Sequence, residues 1–180
     1  SNIGCVVEKN DSKHIEIEIF PDRADLLSPE TMAHAARAFL HDKGAEPDLA
    51  TIDGGITMEV DPSLKDVRPI ILGAIVRGVD NGATPEENDA FIQALMDHQE
   101  KLHFALGRGR KRSSVGVHDL ARLRPPFRVV TVPADYDFIP LAMEEPMSIE
   151  QILKQHPKGV DYANLLEGFE KFPVVLDAAG

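Results

Sequence analysis

His118 and Asp119 are adjacent in the sequence, and these two side chains together suit general acid-base chemistry. A histidine titrates near neutral pH and can accept a proton from water, while a carboxylate can orient its ring. The spacing alone favours a plainer interpretation, in which Asp119 caps a helical turn that ends at Leu123 and His118 is an ordinary loop residue. The pair is therefore a candidate catalytic site and a candidate helix cap.

Three further polar residues stand at the predicted ends of helices and strands, and we take them as candidates for substrate binding: His156, Lys158 and Asp177. The first two belong to the segment His156-Pro157-Lys158-Gly159, whose composition is also typical of a turn that ends a helix. The histidines and the lone cysteine lack zinc-ligand spacing, so no metal site is predicted. The dinucleotide fingerprint, the Walker loop and the nucleophile elbow are absent from the sequence.

A basic stretch precedes the His118-Asp119 pair. Residues 99–127 contain seven of the 19 lysines and arginines, and Asp119 is the only acid between residues 108 and 128, although the net charge is −11. This local inversion indicates a surface for an anionic partner, since an acidic chain repels a polyanion elsewhere. The candidate contacts are Lys101, Arg108, Arg110, Lys111 and Arg112. For Lys101 and His103, the negative end of a helix dipole is a sufficient alternative explanation.

The elements that must position these residues follow from hydrophobic periodicity and capping signals. Ser28, Thr84 and Ser148 each have the sequence pattern of a helix N-cap. Alternating or continuous apolar runs predict strands at residues 13–20, 56–60, 69–77, 114–117, 128–132 and 173–177. The predicted helices cover residues 28–44, 84–107, 148–156 and 161–166, with one helical turn at 118–123. The run at 69–77 is typical of a central strand that is covered on both faces.

The order of these elements indicates the fold class. Strands and helices are interspersed without regular βαβ alternation, which favours an α+β fold. We expect mixed, largely antiparallel sheet layers packed with helices, in a three-layer, sandwich-like arrangement. A length of 180 residues with 43% hydrophobic content suits one domain over residues 1–180.

Cysteine content and hydropathy set the expected compartment. The single cysteine, Cys5, excludes an internal disulfide framework and fits the cytoplasm. No apolar run is long enough to cross a bilayer, so no membrane partner is expected. The first residue is Ser1, which suggests a piece of a longer protein.

Five segments carry a resemblance to a known family. They are IEIFPDRADLLS at residues 17–28, VRP at 67–69, QEKLH at 99–103, VGVHDL at 115–120 and PVVLD at 173–177. In this order they resemble the beta subunit of archaeal and eukaryotic-type phenylalanyl-tRNA synthetase over nearly the whole chain. The resemblance implies that residues 1–180 are the editing domain, a fragment of a larger subunit.

The resemblance also implies a reaction, the hydrolysis of tyrosine misattached to the phenylalanine tRNA. A hydrophobic amino-acid pocket rejects an analogue with one added hydroxyl only weakly, so a second site that selects for the hydroxyl is needed. His118 matches a histidine that the bacterial branch of the family has in its editing pocket, and it would position or deprotonate the water or bind the substrate, with Asp119 orienting it. The basic residues from Lys101 to Arg112 would guide the acceptor end of the tRNA.

Cofactors and partners follow from the same resemblance. The domain itself needs no cofactor, because ATP and Mg²⁺ belong to the synthetic site of the full enzyme, and the fragment alone is not expected to aminoacylate tRNA. The implied partners are phenylalanine tRNA and the synthetase alpha subunit, in an alpha2-beta2 enzyme. Two alternatives remain open, namely a non-catalytic structural and tRNA-docking module, and a free-standing module that clears tRNA in trans.

Overall fold

The computed structural model describes residues 3–41 and 50–180. They form two compact units, which are described separately. The first unit combines the described residues of Ser1–Ala50 with Gly78–Val117, and the second combines Thr51–Arg77 with His118–Gly180. A single functional domain over residues 1–180 stays a prediction.

The first unit begins with an antiparallel hairpin of β1 (Val6–Asn10) and β2 (Ile15–Glu18). The alternation in residues 13–20 therefore correctly predicts an antiparallel strand. Helix α1 covers Pro29–His41, and the Ser28 Oγ accepts a hydrogen bond from the backbone N–H of Thr31 at 3.2 Å, as expected of an N-terminal cap. The predicted helix end near residue 44 lies outside the described residues.

Helix α2 covers Pro85–Ala105 and is the long helix that the sequence predicts. Thr84 Oγ1 accepts the N–H of Glu87 at 3.2 Å, and the Glu87 carboxylate accepts the N–H of Thr84 at 3.1 Å. This reciprocal pair satisfies backbone donors that the first turn of a helix cannot pair internally. The capping box therefore fixes the start of the helix whose other end carries the basic residues.

The second unit is organised around β4 (Phe127–Val132), which pairs in parallel with β3 (Met58–Val60) and antiparallel with β7 (Phe172–Leu176). The other strands and helices of this unit are β5 (Asp137–Phe138), β6 (Met147–Ser148), α3 (Ile149–Gln155) and α4 (Pro157–Tyr162). Short 3-10 helices in the two units lie at Ala24–Leu26, Pro62–Asp66, Leu120–Arg122 and Ala163–Leu165. Val132, Ile149 and Phe172 form the buried core cluster of the second unit.

Two predicted strands are wrong. Residues 69–77 have no strand pairing among the described residues, and Leu72 is 91% exposed. Residues 114–117 also form no strand, because side chains of α2 bond the backbone of Val115 instead. An apolar run predicts a strand only where a partner is available to complete the ladder, and that partner is a tertiary property.

The segment after α3 also differs from its prediction. The expected turn at residues 156–159 is instead the start of α4, because Pro157 takes the first helical position, where its missing N–H has no cost. The predicted helix at 161–166 is replaced by the end of α4 and a 3-10 turn. Gly159 packs so tightly on the backbone carbonyl of Ile152 that a Cβ there would overlap it.

The α+β fold class is confirmed, because the described residues combine helices with a mixed sheet and two antiparallel strand pairs. Among residues 3–41 and 50–180, no helix has both the length and the apolar character needed to cross a membrane.

Candidate functional site

The basic turn, residues 107–112, follows α2 directly. Arg108, Gly109 and Arg110 have φ angles of 49°, 62° and 65°. This left-handed region costs energy in a residue with a Cβ, so surrounding contacts must hold the two arginines there. The N–H of Arg110 donates to the His103 carbonyl at 3.2 Å, which ties the turn back to the helix.

Gly107 makes the exit from α2 possible. A Cβ at this position would lie 2.5 Å from the carbonyl oxygens of His103 and Ser113. The Gly107 N–H donates to the Leu102 carbonyl at 2.9 Å, and its own carbonyl accepts from the N–H of Arg112 at 2.9 Å. Both backbone polar groups of Gly107 are therefore hydrogen-bonded, and the space beside its Cα is too small for any side chain.

Four of the five predicted phosphate contacts are free to meet an anion. Lys101, Arg108, Lys111 and Arg112 are exposed. Within the part of the chain that the structure describes, none of these four side chains forms an ion pair. Unpaired cations on a chain of net charge −11 form a local attractive surface for a polyanion.

Arg110 differs from the other four, because its guanidinium donates to the Glu100 carboxylate on α2. Its side chain is only 18% exposed. Burial by itself raises the pKa of the Glu100 carboxyl, but the hydrogen bond and charge of Arg110, together with His103, outweigh it and lower that pKa. A direct contact of Arg110 with phosphate stays a prediction. In the structure its side chain links the basic turn to Glu100 on α2.

His103 is buried and links α2 to the segment that follows the basic turn. Its ring is 3% exposed, and Nε2 accepts the N–H of Val115 at 2.8 Å. The other nitrogen, Nδ1, lies 3.5 Å from the Glu100 carboxylate. Gln99 Nε2 donates to the Val115 carbonyl at 2.9 Å, so two side chains of α2 hold both backbone groups of one residue. The sequence offers no signal for this role of Gln99 and Glu100 beyond their spacing on one helix.

His118 and Asp119 lie in the second unit, at the start of the segment that leads into β4. The His118 side chain is exposed, and no hydrogen bond or ion pair engages it among residues 3–41 and 50–180. Asp119 Oδ1 accepts the N–H of Ala121 at 3.0 Å and caps the short 3-10 helix, while Oδ2 lies 3.5 Å from Arg122 Nε. The structure thus places Asp119 as a cap rather than against the His118 ring.

The remaining candidates for substrate binding are occupied by local contacts. His156 is buried between α3 and α4, and its Nε2 donates to the Leu141 carbonyl at 3.2 Å. Lys158 lies on α4, with its Nζ 4.0 Å from the carboxylate of Asp161. Neither side chain shares a described contact with His118.

Asp177 joins the end of β7 to the segment that precedes β4. Its carboxylate accepts the backbone N–H of Ala179 at 2.8 Å and that of Arg124 at 3.0 Å. These two hydrogen bonds hold the pKa of the Asp177 carboxyl below its ordinary value. The side chain is thus committed to the backbone between the helical turn after Asp119 and the sheet.

The predicted site is therefore divided between the two units. The five basic residues lie in the first, and the catalytic and substrate-binding candidates lie in the second. No group of three or more potential ligands in residues 3–41 and 50–180 is placed to hold a metal ion.

Comparisons with known proteins identify relatives but no family model that matches. The chain is 42% identical over 178 residues to the phenylalanine-tRNA ligase beta subunit of Methanococcoides burtonii, covering 99% of this chain and 32% of that subunit. It is 45% identical over 169 residues to the corresponding subunit of Methanothrix thermoacetophila, covering 93% of this chain and 30% of that subunit. The chain thus spans about a third of the length of these relatives.

The fold has a counterpart among solved structures. It is an N-terminal fragment of the phenylalanyl-tRNA synthetase beta subunit from Pyrococcus horikoshii, with a TM-score of 0.80 and 23% sequence identity. The match covers 99% of this chain and 51% of the fragment. At this level of identity the comparison shows the shared fold alone.

Proposed function

Because the chain belongs to the archaeal-type phenylalanine-tRNA ligase beta-subunit family, we propose that it edits the tRNA product by hydrolysing tyrosine misattached to phenylalanine tRNA. The observation that carries this proposal is the His118 side chain, which is exposed and unbonded among the described residues. A general base must be free to reach the water that it deprotonates.

The reaction needs one base and one water. The water oxygen attacks the carbonyl carbon of the tyrosyl ester, and the imidazole of His118 takes the proton that the water loses. The bond between the carbonyl carbon and the ribose oxygen then breaks, and the ribose oxygen leaves with that proton. The products are free tyrosine and uncharged tRNA, and no metal or redox partner is required.

The basic residues supply the second part of the proposal, which is the binding of tRNA. Lys101, Arg108, Lys111 and Arg112 form no close ion pair among the described residues, and only Lys101 has a described charge interaction with a carboxylate, that of Glu30. Such cations bind the RNA backbone through phosphate contacts and counterion release. In this proposal the module works in the cytoplasm within a beta subunit that assembles with the alpha subunit of the synthetase, and ATP-dependent aminoacylation takes place outside it.

The test is a deacylation assay that compares phenylalanine tRNA charged with tyrosine and with phenylalanine. We expect His118→Ala to slow tyrosine release by roughly 10²- to 10⁴-fold, the usual contribution of a positioned general base. His34→Ala is the matched control, because His34 is an exposed histidine on α1 in the first unit. Equal rates for His118→Ala and the unmodified chain, in the isolated chain and in the full beta subunit, would remove His118 from the mechanism.

One set of observations favours a second candidate function, a non-catalytic module that docks tRNA. Asp119, His156, Lys158 and Asp177 are all engaged in caps, helix contacts or backbone hydrogen bonds. A chain that binds the tRNA but releases tyrosine and phenylalanine equally slowly, with and without His118, would establish this second function. If the unmodified chain neither binds the tRNA nor hydrolyses its tyrosyl ester, both candidate functions are contradicted.

A further inference from the structure

The side chain of Phe104, in the last turn of α2, is 78% exposed. A large aromatic ring in solvent at a helix end contributes little to folding, since its hydrophobic stabilisation depends on removal of its surface from water. The ring is therefore available for contact with another molecule.

A shallow cleft of about 300 Å³ lies beside the ring. Its apolar wall includes Ile19, Pro21 and Leu27 from the segment between β2 and α1. Lys101 lines the same cleft one helical turn before Phe104. This volume lies at the lower limit for small-molecule sites and suits one flat ring system.

The charges around the cleft select the class of occupant. Lys101 lines the cleft three residues before Phe104, and the exposed Arg108 follows four residues after Phe104 in the basic turn, so the chain carries a cation shortly before and shortly after the ring. The carboxylate of Glu100, which also lines the cleft, is paired with Arg110. A partner that suits this surface offers a flat π-face and negative groups on either side, which is the chemistry of a single-stranded nucleic acid.

We propose that an unpaired nucleobase of RNA stacks on Phe104 in this cleft, with its flanking phosphates on Lys101 and Arg108. The identity of that RNA as phenylalanine tRNA rests on the proposed function above. Stacking tolerates any base, so the site holds the strand in place without reading its sequence.

The first test uses tryptophan fluorescence. The sequence contains no tryptophan, so Phe104→Trp places a single indole in the cleft. We expect its fluorescence to be quenched by an eight-nucleotide single-stranded RNA, and much less by the same strand with abasic sugars. Phe39→Trp is the matched control, because Phe39 is also exposed, at 55%, but lies on α1 and does not line the cleft. Equal quenching of both variants, or no difference between the intact and abasic strands, would overturn the stacking site.

The second test separates stacking from charge. Phe104→Leu keeps an apolar side chain but removes the ring, and we expect about 5- to 100-fold weaker binding of the intact strand with no change in salt dependence. Lys101→Ala removes a phosphate contact, and we expect the slope of log K against log salt to fall by about 0.7. Because both positions are exposed, these variants should unfold at the same temperature as the parent chain.

Each outcome bears on a distinct claim. Unchanged affinity in Phe104→Leu alongside a reduced slope in Lys101→Ala would overturn the inference and leave tRNA binding intact. An absence of binding by the parent chain would overturn both the inference and the tRNA-binding part of the proposed function. A change in Phe104→Trp fluorescence with an apolar peptide but not with RNA would assign the cleft to a protein partner and also overturn the inference.

Discussion

Gly107→Ala tests whether the close backbone packing at Gly107 holds the basic turn in place after α2. The added Cβ would lie 2.5 Å from two backbone oxygens, those of His103 and Ser113, and 3.0 Å from His103 Cα. None of these atoms belongs to a side chain that can rotate away, so the backbone itself must move. The glycine is also hydrogen-bonded through its N–H and its carbonyl, both at 2.9 Å, which opposes that movement.

The magnitude follows from these contacts. Forcing an extra methyl into a packed position costs about 1 to 3 kcal/mol, and two simultaneous overlaps with fixed backbone place this variant at roughly 2 to 3 kcal/mol. For a chain of this length, that corresponds to a fall in melting temperature of about 4 to 12 °C for the cooperative transition that includes α2. The displaced turn should also bind single-stranded RNA more weakly, because its cations no longer share one surface.

The assay is thermal unfolding followed by circular dichroism, with RNA binding measured at several salt concentrations. Gly109→Asn is the control within the same turn, because Gly109 has a φ of 62° and no atom lies within 4 Å of the place that a Cβ would take. Asparagine tolerates that left-handed conformation, so we expect a change of less than about 1 kcal/mol. If Gly107→Ala melts at the same temperature as Gly109→Asn and the parent chain, the close approach is not what holds the turn.

Two further predictions concern carboxylates. The pKa of the Asp177 carboxyl is lowered from 3.8 by the backbone N–H groups of Ala179 and Arg124, so its stabilising effect is complete above that value and is lost as the pH falls through the lower folded-state pKa. Asp177→Asn should therefore lower the urea midpoint of unfolding at pH 7, and in strong acid its midpoint should approach that of the parent chain. The control Asp135→Asn should leave the midpoint unchanged at both pH values. A difference between Asp177→Asn and the parent chain that is the same at all pH values would contradict this prediction. Glu100→Gln removes the ion pair of Arg110, so the salt slope of RNA binding should steepen by roughly 0.7 to 0.9 as Arg110 gains a phosphate contact, with Glu145→Gln as the control. An unchanged slope would show that Arg110 stays committed to the turn.

Local signals predict α1, α2 and α3 together with their starting points, whereas α4 is not predicted. Thr84 and Ser148 each cap a helix through a reciprocal pair with the residue three positions later, so the information is contained within four residues. The alternative interpretation of Asp119 as a cap is confirmed for the same reason, while its catalytic role stays a prediction. The strand at residues 128–132 is found because its apolar side chains are also those of the core.

The wrong strand predictions concern segments whose conformation depends on residues distant in the sequence. Residues 69–77 have the composition of a central strand, but no other described segment supplies their ladder. The sequence also predicts a strand just before His118, yet Gln99 and His103 bond the backbone of Val115 there. Neither contact is visible in a periodicity, because the residues involved are 12 to 16 positions apart.

The candidate site shows the same division. The sequence by itself determined that the chain carries a cationic turn after a long helix and a histidine-aspartate pair after it, because residue type and order are sufficient for both. Only the tertiary structure decided that Arg110 is paired with Glu100 and that Phe104 is open to solvent. The physical reason is that charge is a property of the residue, whereas its availability depends on which partners the folded chain brings within hydrogen-bonding distance.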